Sequence, residues 1–183
     1  MFTEAQGRQL LILARTAIAR EFDEPAALPF HADWLDALGA TDVTLTTEGR
    51  LRGCIGSLEA HRPLREDVEE NARAAAFRDP RFPPLLRGEL NEVRMEVSVL
   101  TEATPMTFSD EAEALRQLRP EADGVILEYG WHRSTFLPQV WEQLPEPHQF
   151  LSHLKQKAGL SGDFWSKELR LSRYAVEKFK EER

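Results

Sequence analysis

The feature that most constrains this fold is a β-hairpin pattern that encloses the only cysteine of the chain. Residues 43–47 read Val-Thr-Leu-Thr-Thr and favour a strand, and Glu48-Gly49 is a turn signal before a second strand over residues 50–58. Cys54 lies on the second arm, directly after Gly53 and two residues before Gly56. Since glycine permits tight turns and close approach, this arm is predicted to leave its backbone open to another molecule.

The remaining periodicities predict an α+β fold with a mixed or antiparallel sheet and flanking helices, as a single domain over residues 1–183. A capping box at Thr3–Gln6 starts a helix that is expected to end near Phe22. A loop is expected over residues 23–42, with a short turn at 34–38. Further predicted helices begin at Pro63, Asp110 and Pro138, and the last of these is followed by another that ends at Ala158. The predicted strands cover residues 90–101, 125–129, 133–137 and 169–179.

Composition excludes several classes of protein. The net charge of −8 argues against a nucleic-acid-binding surface, which needs clustered Lys and Arg. One cysteine cannot form an intrachain disulfide, the N-terminus has no secretory pattern, and no apolar run reaches the roughly 18 residues of a membrane span. We therefore expect a cytoplasmic protein with no membrane span. No metal-ligand spacing and no cofactor motif stands in the sequence.

Cys54 is the first candidate for chemistry. Arg52 lies two residues before it, so on a regular strand the two side chains share a face and the cation lowers the pKa of the thiol. Cys54 is then the catalytic nucleophile and Arg52 its electrostatic partner. The alternative is that Cys54 is a small packed hydrophobe, as free cysteines often are.

Three more residues are candidates for moving protons. Glu96 and Ser98 share one face of a predicted strand, and His132 lies in a predicted turn beside Arg133. Each has an ordinary alternative, a solvated strand face for Glu96 and Ser98 and an exposed turn for His132.

Four strings carry a resemblance to a known family. They are Leu51-Arg52-Gly53-Cys54-Ile55-Gly56, Asp79-Pro80-Arg81-Phe82-Pro83-Pro84, Val97-Ser98-Val99-Leu100-Thr101 and Phe136-Leu137-Pro138-Gln139-Val140. In this order they resemble the AMMECR domain family, and the match runs from about Leu10 to Phe179.

The resemblance implies a larger and a smaller lobe with a cleft between them and a signature site around Cys54. It implies Arg133 and Gln139 as further site residues, and a Memo-type protein and a radical S-adenosylmethionine protein as partners. It supplies no reaction.

Two functions remain open at this point. In one, the chain is a component of an enzyme that uses Cys54 as a nucleophile or as an acyl or sulfur carrier. In the other, it is a binding subunit for a protein or a small anionic ligand. Its recognition groove is then formed by the open backbone from Gly53 to Gly56 and by the loop Arg81-Phe82-Pro83-Pro84. Nucleic-acid binding is a weaker third possibility because of the acidic charge.

Overall fold

The computed structural model describes residues 1–25 and 30–182, so residues 26–29 of the predicted loop lie outside the described residues. The chain divides into two compact units. Unit 1 comprises Met1–Leu100 and Glu177–Arg183, and unit 2 comprises Thr101–Val176. Unit 2 is therefore an insertion between the last two strands of unit 1.

Helices and strands follow the chain in an α+β order. The helices are α1 (Glu4–Arg20), α2 (Leu64–Phe77), α3 (Glu111–Gln117) and α4 (Pro147–Lys157). The strands are β1 (Leu38–Thr47), β2 (Arg50–Gly56), β3 (Arg62–Pro63), β4 (Arg94–Leu100), β5 (Thr104–Pro105), β6 (Gly124–Tyr129), β7 (His132–Phe136), β8 (Arg170–Tyr174) and β9 (Val176–Lys180). The α+β prediction is confirmed.

Unit 1 is an antiparallel sheet packed on two helices. The strand order is β2-β1-β4-β9, and the short β3 pairs with the start of β1. Alternation directs Val43, Leu45, Met95 and Val97 to one face, where all four are buried with the apolar sides of α1 and α2. The opposite face is polar and carries Cys54.

The hairpin of β1 and β2 is confirmed. Glu48 and Gly49 both have left-handed backbone angles, with φ of 51° and 77°, which suits a two-residue turn between twisted strands. Pairing then shifts register, because Leu45 lies opposite Gly53 whereas Thr46 lies opposite Leu51. Arg52 is the extra residue of a β-bulge.

Unit 2 has its own sheet and its own core. The strand order is β5-β8-β6-β7. Trp141 and Phe150 are fully buried and stack with ring centroids 3.7 Å apart. The Trp141 indole donates to the backbone oxygen of Asp123 at 2.7 Å, so its one polar group is satisfied inside the core.

Several predicted boundaries differ from the structure. Helix α1 ends at Arg20 rather than Phe22, and β1 begins at Leu38, inside the predicted loop. The segment after Leu137 is a short 3₁₀ helix, Pro138–Glu142, where an α-helix to Leu144 was predicted. Residues 169–179 form strands, as predicted, although they are divided between β8 and β9. Among the described residues, none of the helices has the length and apolar character to cross a bilayer.

Candidate functional site

The thiol of Cys54 is a hydrogen-bond donor on the polar face of the unit 1 sheet. Sγ donates to Asp42 Oδ1 at 3.1 Å, and Thr44 Oγ1 lies 3.3 Å from the sulfur. Burial, followed by the negative charge of Asp42, raises the pKa of the Cys54 thiol to about 11, against smaller opposing effects of Thr44 and Arg81. The thiol is therefore neutral at pH 7.

The backbone of Cys54 is held by an ion pair between buried Asp79 and exposed Arg81. Its N–H donates to Asp79 Oδ2 at 2.9 Å, and its carbonyl oxygen accepts from Arg81 Nη2 at 3.1 Å. Arg81 also binds Asp79 directly, with Nη2 2.7 Å from Oδ2. Hydrogen bonds from Arg81 and Cys54 hold the pKa of the Asp79 carboxyl well below its usual range. The pair covers the outer edge of β2, which would otherwise expose backbone groups.

Arg52 has a partner other than the sulfur. Its guanidinium binds Glu89 through two hydrogen bonds of 2.8 and 3.0 Å. It also donates to the carbonyl oxygens of Pro83, at 3.0 Å, and Pro84, at 3.4 Å. The expectation that Arg52 acts on the Cys54 thiol is corrected, because the bulge at Arg52 interrupts the strand alternation on which it rested.

The two glycines of the string permit close packing against neighbouring atoms. A Cβ on Gly53 would overlap the carbonyl oxygen of Ala75 in α2. A Cβ on Gly56 would lie 2.8 Å from both the Asp42 carboxylate and the Thr41 carbonyl oxygen. Gly53 is buried, so the prediction of an open backbone is corrected at Gly53, whereas Gly56 is exposed and its role in binding stays a prediction.

Glu96 and Ser98 share the polar face with Cys54 but do not contact its sulfur. Thr44 of the central strand β1 pairs with Cys54 on one side and Glu96 on the other. Cys54 and Glu96 are thus two strands apart, or roughly 10 Å. The Glu96 carboxylate is 2.8 Å from the ammonium group of Lys180. At this distance a proton can pass between Glu96 and the Cys54 thiol only through a bridging molecule.

The loop after Asp79 is held by these hydrogen bonds and has an exposed surface. The Arg81 side chain is 54% exposed and its guanidinium lies over the Phe82 ring, 5.6 Å from the centroid. Pro83 and Pro84 are exposed, and Leu86 is 68% exposed. Apolar groups and a cation therefore stand together on a proline-stiffened segment.

The other predicted site residues lie in unit 2. His132 Nδ1 is 2.7 Å from the Ala158 carbonyl oxygen, so this nitrogen carries a proton, and the ring stacks on exposed Trp131. Arg133 binds Glu128 at 3.0 Å. Gln139 is exposed on the 3₁₀ helix.

Sequence reasoning missed four residues that contact the Cys54 and Arg52 groups. Asp42 and Thr44 were available as a polar pair two apart in a β-rich string, which indicates one strand face. Asp79 and Glu89 gave no local signal, because they lie 25 and 37 residues from their partners.

One group of possible metal ligands also lies outside the predicted site. In the described part of the chain, His31, Asp33 and Asp36 bring their ligand atoms within 4.8 Å of one another. All three side chains are more than half exposed, which is usual for solvated surface charges.

Comparison with known proteins gives one consistent result. The model of the AMMECR1 family matches residues 11–179. A protein of Methanothermobacter thermautotrophicus is 37% identical over 182 residues, covering 97% of this chain and 95% of the relative. A protein of Methanocaldococcus jannaschii is 40% identical over 133 residues, covering 72% of this chain and 66% of the relative. The crystal structure of an uncharacterized protein from Pyrococcus horikoshii is similar, with a TM-score of 0.78 and 30% identity over 99% of this chain and 94% of that one.

Proposed function

The chain belongs to the AMMECR1 family, and we propose that it is a binding component that presents residues 81–86 to a protein partner. The observation that carries this proposal is the fixation of the loop by the β2 string. Cys54 holds its first residues through Asp79 and Arg81, and Arg52 holds the carbonyl groups of Pro83 and Pro84. The signature string therefore serves as the support of a recognition loop.

Fixation of this loop lowers the entropic cost of binding. A loop that is ordered before it meets a partner does not lose conformational freedom on association. Arg81 is of a residue type that is enriched among the residues that carry most binding energy at protein interfaces, and Phe82 and Leu86 add apolar area beside it. The neutral Cys54 thiol agrees with a supporting role, because a nucleophile or metal ligand acts as the thiolate.

The resemblance to the AMMECR domain family suggests the partners, a Memo-type protein and a radical S-adenosylmethionine protein. The test is to titrate each purified candidate against this chain by calorimetry. Leu86→Asp is expected to weaken binding by about tenfold or more, because it places a charge at the centre of the apolar surface. Leu38→Asp is the matched control, since Leu38 is 65% exposed on another part of unit 1.

The outcomes of this titration separate the roles of loop and thiol. Cys54→Ser is expected to bind normally, since serine keeps a donor toward Asp42. If the Leu86→Asp chain binds each partner as tightly as the wild-type chain does, residues 81–86 are not the binding surface. If neither candidate binds, the assignment of these two proteins as partners is wrong.

A second candidate function is favoured by one contact, the 3.1 Å hydrogen bond from Sγ to Asp42 Oδ1. Here Asp42 takes the thiol proton as Sγ attacks the carbonyl carbon of a thioester. An Sγ–C bond forms as the C–S bond of the thioester breaks, and Asp42 returns the proton to the leaving thiolate, which departs as a thiol. Rapid alkylation of Cys54 below pH 7 in the folded protein would favour this function, and the signal is unambiguous because the chain has a single thiol.

A further inference from the structure

A groove runs along the outer side of α1 in unit 1, apart from the loop at residues 81–86. Its larger part encloses about 560 Å³ and is lined by α1, the 91–94 segment and the end of β9. A second part of about 390 Å³ continues toward Ala19 and shares Arg15 and Asn91 with the first. From Arg8 to Ala19 the groove follows about 16 Å of helix.

The floor of the groove is rigid. Arg15 binds Glu181 through two hydrogen bonds of 2.6 Å and donates to the carbonyl oxygens of Leu90 and Val93 at 2.8 and 2.9 Å. These bonds tie three separate segments of the chain together beneath the opening. The groove is thus formed before any ligand arrives, which favours binding.

The lining is cationic in a chain whose net charge is −8. The larger part has four Lys or Arg side chains and two Glu side chains. Arg15 is bound to Glu181 and Lys180 to Glu96, so Arg8 and Arg94 are the cations that remain to meet a ligand. Arg94 is exposed, and the Arg8 side chain is 70% exposed with only a 3.8 Å contact to Glu4. Ile12 is 43% exposed between these charges.

We infer that this groove binds an acidic peptide segment of a partner protein. Carboxylates of the segment pair with Arg8 and Arg94, and an aliphatic side chain covers Ile12. An elongated groove with cations at its rim and an apolar centre matches a chain segment better than a compact small molecule. The positive lining also attracts an acidic segment selectively, since the rest of the surface is negative overall.

The test uses the full chain and a fluorescein-labelled peptide of leucine and glutamate with about the length of the groove. Binding is followed by fluorescence anisotropy and mapped by the backbone amide shifts of ¹⁵N-labelled protein. We expect the shifts to concentrate at residues 8–19 and 91–94. The double variant Arg8→Glu, Arg94→Glu is expected to weaken binding about tenfold or more. Arg20→Glu is the control for each of the two single reversals, because it makes the same single charge change on α1 outside the lining.

Three results would overturn the inference. They are no binding at millimolar peptide, amide shifts located elsewhere, and an equal effect of the Arg20→Glu control. If the wild-type chain self-associates and the double variant does not, the groove instead binds a second copy of the chain. None of these substitutions changes residues 81–86. The inference about the groove can therefore be wrong while the proposed function of residues 81–86 is right.

Discussion

At the scale of single residues, Cys54 shows how the surroundings of a thiol disfavour its thiolate form. Its thiol faces a carboxylate rather than a cation, and its backbone groups hold the loop that carries Arg81. The nearest cation in sequence, Arg52, is engaged by Glu89. The residues around Cys54 therefore favour the protonated thiol, which donates to Asp42.

Removal of the Asp42 charge is predicted to make the thiol more acidic. Asp42→Asn eliminates the anion that disfavours the thiolate, so the pKa should fall from about 11 toward the usual thiol value. The measurement is the rate of iodoacetamide labelling against pH in the native protein. Thr44→Val is the matched comparison and should shift the curve the other way, because Thr44 lowers this pKa. An unchanged curve in Asp42→Asn would contradict the assignment.

Gly53 is predicted to be required for the contact between β2 and α2. Gly53→Ala should lower the free energy of unfolding by about 1–3 kcal/mol, because the new Cβ meets the Ala75 carbonyl oxygen. Gly88→Ala is the control, since a Cβ at Gly88 meets no atom within 4 Å. Urea unfolding of both variants measures the difference. Similar stabilities would show that α2 can move away at little cost.

At the scale of elements, the 79–84 loop takes the place of a further strand beside β2. Asp79 accepts the Cys54 N–H and Arg81 donates to the Cys54 carbonyl oxygen, as a neighbouring strand would do. Prolines cannot donate to a sheet, so side chains supply the pairing in this segment. This arrangement converts an edge strand into a protected one.

The Asp79 carboxylate is predicted to make the stability of unit 1 sensitive to acid. Its pKa is lower in the folded chain than the unfolded value of about 3.9, so its contribution is complete above pH 4 and is lost as the pH falls. Asp79→Asn should therefore be less stable than the wild type at pH 7 and should lose less stability between about pH 4 and pH 2. The measurement is urea unfolding at each pH. Parallel pH profiles for the two chains would contradict the coupling.

At the scale of the whole molecule, local patterns in the sequence predicted most elements and few of the contacts at the site. The hairpin and β4 followed from alternation, and α1 followed from its cap and apolar spacing. The pairs Arg52–Glu89 and Cys54–Asp79 depend on how distant segments meet, and the bulge at Arg52 depends on strand register. A single sequence encodes these contacts only through the completed fold.

The C-terminal residues are predicted to be essential for unit 1, although unit 2 separates them in sequence from the rest of unit 1. β9 pairs with β4, the Phe179 ring fills the space beside Gly7, and Glu181 binds both Arg15 and the Met95 N–H. A chain that ends before Glu177 should lose about 3 kcal/mol or more of stability in unit 1, as expected for losing a packed aromatic ring together with a partly buried ion pair.

Amide hydrogen exchange in β4 measures this loss, and a chain that ends after Glu181 is the control. The longer chain should protect β4 as the wild type does, because it keeps each of these contacts. If the shorter chain protected β4 equally well, the first hundred residues would fold without β9. The inserted position of unit 2 would then carry no consequence for the stability of unit 1.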